Sequence, residues 1–156
     1  MPGNVSLQAT QYYAHPRNAF WFIIESLFSD KINLSYSERQ KLIVEHHVAV
    51  WDVLASCDRN GSLDSSIKAS SIVANDFVNF FNINPTIKTV FFNGGTAEKV
   101  FMKAFKTASF LDNDELNFIR LPSTSPAHAA MTKQQKLQSW RVVVEHLATA
   151  RKNFQK

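Results

Sequence analysis

Residues 87–105 read "IKTVFFNGGTAEKVFMKAF". Six residues rich in β-branched and aromatic types run without interruption into Asn93, Gly94 and Gly95, and an apolar pattern at helical spacing follows. A short apolar run closed by turn residues predicts a buried strand. The pattern after it predicts a helix over 97–105. A strand, a tight glycine turn and a helix make the first two-thirds of a βαβ unit. The unit is completed by "LNFIRLP" (116–122), which reads as a second strand closed by the proline-bracketed loop "PSTSPAHAA" (122–130).

Working outward, "NAFWFIIESLF" (18–28) places Phe20, Ile23, Ile24, Leu27 and Phe28 at helical spacing, with Asn18 in the capping position. "SYSERQKLIVEHH" (35–47) predicts a helix capped at Ser35 or Ser37, and "VAVWDV" (48–53) predicts a strand. "CDRNGSLDSS" (57–66) is a turn-rich loop around Asn60 and Gly61. Helical signal returns over 70–82 and stops before Pro85. The tail 133–154 predicts one long amphipathic helix with Leu137, Trp140, Val144 and Leu147 on its stripe. Strands separated by helices imply an α/β fold, a mostly parallel sheet with helices on both faces. Such sheets bind ligands beyond the carboxyl ends of their strands. That rule selects the loop after Val53, the turn at 93–95 and the loop at 122–129.

The 156 residues suit one domain, 1–156. Lys and Arg exceed Asp and Glu by 17 − 13 = 4, which permits a polyanionic partner without requiring one. Cys57 is the single cysteine, so no disulfide can close within the chain, which fits a reducing cytoplasm. No apolar run reaches the ~18 residues of a membrane span, and no signal-peptide pattern opens the chain. A soluble cytoplasmic protein is expected. Thirteen phenylalanines against four glycines predict a firmly packed interior.

Three segments could carry chemistry. "YYAHPRNAFW" (12–21) mixes aromatics with a polar cluster. Asn18 serves a helix start in any case, whereas Tyr12, Tyr13 and Arg17 could stack on a base or hold a phosphate. In "FFNGG", Asn93 has an amide able both to donate and to accept against a base edge, and Gly94 with Gly95 allows close backbone approach; a plain strand-end turn is the alternative. In "LPSTSPAHA", two prolines stiffen a turn presenting the hydroxyls and N–H groups of Ser123, Thr124 and Ser125, which suits phosphate oxygens or simply a solvated turn. His46 and His47 lack a third ligand for a metal. Asp58 and Asp64 lack the alternating oxygens of a calcium loop. Lys133, Lys136 and Arg141 read as a solvated helix face, or in part as contacts to a nucleic-acid backbone. Neither a Walker A nor a G-x-G-x-x-G motif occurs.

Taken together, "MPGNVSLQATQYYAHPRNAFW", "VAVWDVLASCDRNGSLDSSI", "VFFNGGTAEKVF" and "LPSTSPAHA" closely resemble the uracil-DNA glycosylase superfamily, nearest its hypoxanthine-DNA (DNA-deoxyinosine) glycosylase branch. The resemblance runs through almost the whole chain in the family's order and spacing. It implies a three-layer α/β/α sandwich and a base-excision repair enzyme. Such an enzyme flips a deaminated base from double-stranded DNA and hydrolyses its N-glycosidic bond, with no metal or organic cofactor. By the same resemblance Asn18 is the catalytic asparagine that orients water. Tyr12, Tyr13, Asn93 and Gly94 meet the base, and Arg17, Ser123, Thr124 and Ser125 grip the strand. A monomer is expected, cytoplasmic or nucleoid-associated. Other branches carry a catalytic Asp or Asn before Pro2-Gly3, where Met1 stands here, and a His where Leu121 stands; His128 comes later in the loop. Relatives also have a hydrophobic strand before Pro-Gly that this sequence does not show. An opened or compensated sheet with reduced stability is therefore expected, and a catalytically weak DNA-binding relative is the alternative function.

Overall fold

In the computed structural model, which describes residues 1–61 and 66–154, the βαβ unit forms where the sequence places it. Strand β3 (Thr89–Asn93) is followed by helix α5 (Gly95–Phe105) and strand β4 (Asn117–Leu121). The strands run parallel in register from Thr89 opposite Asn117 to Asn93 opposite Leu121. Preceding them are α1 (Asn4–Ala9), α2 (Phe20–Phe28), α3 (Tyr36–Glu45), β1 (Leu54–Ser56), β2 (Val73–Ala74) and α4 (Phe77–Ile83). Helices α6 (Lys133–Trp140) and α7 (Val142–Phe154) follow.

The period-two alternation of the strands sorts their side chains into two cores. On one face Phe91, Ile119 and Leu121 pack with Phe20, Trp21, Ile23 and Ile24 of α2 and with Trp140 and Val143 of α6 and α7. On the other face Val90, Phe92 and Phe118 pack with Phe77, Phe81 and Phe101 of α4 and α5. Helices thus cover both faces of the sheet, as the βαβ pattern implies. Phe101, fully buried, contacts the rings of Phe77, Phe92, Phe105, Phe110 and Phe118 at centroid distances of 5.0–5.9 Å. The phenylalanine-rich interior is concentrated on this side.

Four local expectations are corrected. Residues 48–53 belong to no strand. A strand needs a ladder partner, and this run is tied instead at its ends: Val48 donates to the Ile43 carbonyl at 2.8 Å, and Asn75 donates to the carbonyls of Val53 and Asp52. Strand pairing begins only at Leu54, antiparallel to β2. Second, the helix expected over 70–82 starts at Phe77, capped by the Asp76 carboxylate at 3.0 Å from the Asn79 N–H, because Val73 and Ala74 pair with β1. Third, the tail helix breaks at Arg141. Three-residue turns there, Arg141 N–H to the Gln138 carbonyl and Val144 N–H to the Arg141 carbonyl, rotate the next face. Leu137, Trp140 and Leu147 of the predicted stripe pack into the core, but Val143 is buried in place of Val144, which is 37% exposed. Finally, α1 was not foreseen; it ends on Thr10 in the left-handed region, φ 51°.

The second edge of β3 is unpaired among the described residues, and a cleft of about 1220 Å³ separates it from residues 48–53. The sheet is open along that edge.

Candidate active site

Because β3 and β4 are parallel and in register, their carboxyl ends lie side by side, and the two loops the sequence singled out leave the sheet together. The loops are locked to each other. The Asn93 amide donates to Thr124 Oγ1 and accepts from the Thr124 N–H, both at 2.8 Å, and Thr124 is buried. Gly94 makes this approach possible. Its φ is +98°, and a Cβ there would lie 2.9 Å from Ser123 Cβ. Only glycine fits such a backbone without strain. Its N–H also reaches the Leu121 carbonyl at 3.0 Å.

The third segment docks on the second. Ala19 donates its N–H to the Thr124 carbonyl at 3.0 Å, bringing residues 12–19 against the loop at 122–126. The helix begins at Phe20, two residues later than Asn18, yet Asn18 still serves its start: Oδ1 accepts the Phe20 N–H at 2.9 Å. That bond occupies one lone pair of the carbonyl and fixes the direction of the amide, which lines the cleft. His15 helps shape the turn, with Nδ1 accepting from the Arg17 N–H at 3.1 Å and its carbonyl from the Asn18 N–H at 2.8 Å. Arg17 itself is exposed and does not line the cleft.

Both tyrosines line the cleft. Tyr13 adopts a left-handed backbone, φ 53°, a conformation costly for a bulky residue and found at sites that need it. Its ring stacks on Phe20 at 4.0 Å. Burial pushes its hydroxyl pKa up to about 12, partly opposed by a hydrogen bond with Asn93. Tyr12 is also raised, by burial first and by the Asp52 charge second. Its backbone is clamped on both sides, N–H to Tyr36 Oη at 3.0 Å and carbonyl to Trp21 Nε1 at 2.7 Å. Burial keeps both phenols protonated at ordinary pH.

Asn18, Tyr12, Tyr13, Asn93, Ser123, Thr124 and Ser125 all line one cleft, whose remaining walls are largely apolar. Three sequence-derived roles take a different form. Asn93 spends one donor and one acceptor on Thr124, so it acts first as a strut between the loops. The space beside Gly94 is filled by Ser123 rather than left for a ligand. Lys136, read as part of a solvated face, is 4% exposed, whereas Lys133 and Arg141 are exposed as expected. Its place four residues before Trp140, on the same helical face, was the available signal.

Asp52 is a cleft residue the sequence reading passed over. Its carboxylate lies 3.3 Å from the Met1 ammonium and close to Tyr12. A lone acid at the end of a β-branched run was the sign. His46 stacks on Phe28 at 4.6 Å, and Cys57 is a free, partly buried thiol. Asp64 lies outside the described residues. Among the described residues no three His, Cys, Asp or Glu side chains gather to hold a metal ion, and no helix is long and apolar enough to cross a membrane.

No family model matches the chain. A hypoxanthine DNA glycosylase of Methanosarcina barkeri is 34% identical over 95 residues, 60% of this chain and 59% of that protein. A hypoxanthine DNA glycosylase of Methanosarcina acetivorans is 27% identical over 147 residues, 94% of this chain and 87% of that protein. The solution NMR structure of a uracil DNA glycosylase-like protein from Methanosarcina acetivorans superposes with a TM-score of 0.72 at 27% identity, covering 94% of this chain and 86% of the other. With the α/β fold and the three converging loops, these likenesses agree on one assignment. The chain is similar in sequence to hypoxanthine DNA glycosylases and in fold to a uracil DNA glycosylase-like protein.

Proposed function

We propose that this chain is a monofunctional DNA glycosylase of base-excision repair, which hydrolyses the N-glycosidic bond of a deaminated base flipped out of double-stranded DNA. Hypoxanthine is the first substrate and uracil the second. The observation that carries this reading is the convergence of Asn18, both tyrosines and the serine-rich loop on a single cleft.

The chemistry needs positioning more than a strong base. As the C1′–N bond breaks, its electron pair leaves with the base and the sugar becomes oxocarbenium-like. Water adds to C1′, then releases a proton, giving a free base and an abasic sugar. The unused lone pair of Asn18 Oδ1 accepts one O–H of that water and aims its oxygen at C1′. A phenol held neutral by burial donates to the departing base and spreads its developing charge. Ser123 and Ser125 present hydroxyls to the phosphodiester, a contact indifferent to sequence. Extrusion costs a few kcal/mol and less for a mispaired base, which favours lesions. The protein acts as a monomer in the cytoplasm, in keeping with its single free thiol.

The test is a duplex carrying one deoxyinosine, incubated with the protein and treated with alkali. Strand cleavage at the lesion, none on an unmodified duplex and none of free deoxyinosine are expected. Release of hypoxanthine from the free nucleoside but not from the duplex would make the protein a nucleoside hydrolase instead.

A further inference from the structure

Helix α6 holds the loop at 122–126 from behind through two side chains one helical turn apart. Trp140 Nε1 donates to the Pro122 carbonyl at 3.0 Å, and Lys136 Nζ donates to the Ser125 carbonyl at 3.2 Å. The Thr124 carbonyl is taken by Ala19 and the Leu121 carbonyl by Gly94. Three of the loop's carbonyls, and that of Leu121 at the end of β4, are thus drawn into the protein. The negative ends of these peptide dipoles point inward, and the hydroxyls of Ser123 and Ser125 remain at the cleft. That polarity suits an anion.

Lys136 is the unusual member. It is 4% exposed, and among the described residues no carboxylate pairs with it. By contrast the buried carboxylate Glu25 is satisfied by Arg39 Nε at 2.6 Å and by the N–H groups of Asn33 and Leu34. A buried ammonium resting on a neutral carbonyl is expensive, and burial lowers its pKa. Such a charge is tolerable where a ligand supplies the missing anion. Trp140 alone would hold the loop with no charge at all.

We infer that Lys136 is a positioning residue whose buried charge, set behind the loop at 122–126, fixes that loop for a DNA phosphodiester and draws the phosphate to Ser123 and Ser125. This rests on DNA being the substrate. It does not rest on excision.

The experiment measures binding of the intact protein to an unmodified duplex across a salt series, for wild type, Lys136→Met and Lys136→Arg. Removing one phosphate-directed charge lowers the slope of log Kd against log salt by about one unit and weakens binding about tenfold at low salt. Lys136→Arg keeps the slope. A loop that merely lost a strut would weaken binding with the slope unchanged. In wild type, the Lys136 ammonium resonance, followed by NMR, shifts as duplex is added, a readout that survives should the methionine variant fail to fold. Equal slopes for wild type and Lys136→Met, or an ammonium signal indifferent to DNA, would overturn the inference. A slope difference in a protein that excises no base would leave the inference standing and overturn the glycosylase function alone.

Discussion

The closest demand the structure makes on sequence is at Gly94, and Gly94→Ala measures it. Two costs add. The backbone there has φ 98° and ψ 160°, a region essentially reserved for glycine, and forcing alanine into it costs about 1–3 kcal/mol. The new methyl would also stand 2.9 Å from Ser123 Cβ, an overlap typical of overpacked cores, at about 1–3 kcal/mol more. Retreat of the loop would relieve the second cost only by giving up the bonds from Asn93, Ala19, Trp140 and Lys136. The expected loss is about 2–6 kcal/mol, a large share of the roughly 5–15 kcal/mol that holds a domain folded. Urea unfolding followed by the fluorescence of buried Trp21 and Trp140 should show the midpoint falling by about 1 M or more. Gly95→Ala is the matched control: its methyl would meet Arg120 atoms at an ordinary 3.7 Å in the first turn of α5, where alanine is the better helix former. Gly95→Ala is therefore neutral or stabilising. Equal midpoints for Gly94→Ala and wild type would refute the loop-packing argument.

Two further outcomes follow from the same geometry. Asn93→Leu removes both bonds to Thr124 and strands its buried N–H and hydroxyl, costing about 2–4 kcal/mol in urea unfolding, whereas an amide kept free for a base edge would cost little stability. Tyr13 should ionise near pH 12, above the ordinary phenol value near 10, seen as a late rise in tyrosinate absorbance at about 295 nm that Tyr13→Phe abolishes. Since its folded pKa is raised, the stability tied to the neutral phenol is complete below pH 10. It is lost as pH climbs from 10 towards 12; a plateau in stability across that window would contradict the buried hydroxyl.

The βαβ unit was legible because both strands are short apolar runs that end in turn residues, signals that act within a few residues. The convergence of the loops at 93–95 and 122–126 followed from parallel topology, before any side chain was placed. What escaped was set by distant partners. Residues 48–53 have every local mark of a strand, but pairing is a property of two chains of backbone, and the cleft separates this run from β3. The stripe on the tail missed only at Val144, beside the break at Arg141, where a tighter turn shifts the phase by a fraction of a residue that composition does not encode. At the site, residue types were readable and bond partners were not. Asn93 looked free because its partner Thr124 lies 31 residues away, and Lys136 looked solvated because lysine usually is.

The central claim is that the Asn18 amide at the first turn of α2 aims the attacking water. Single-turnover excision from a deoxyinosine duplex by wild type and Asn18→Ala, with Kd measured in parallel, tests it most directly. The variant loses one hydrogen bond to the Phe20 N–H, worth about 1 kcal/mol, and should stay folded. Its rate constant should fall by about 100-fold or more while Kd changes little. Equal rate constants for the two proteins would contradict the account.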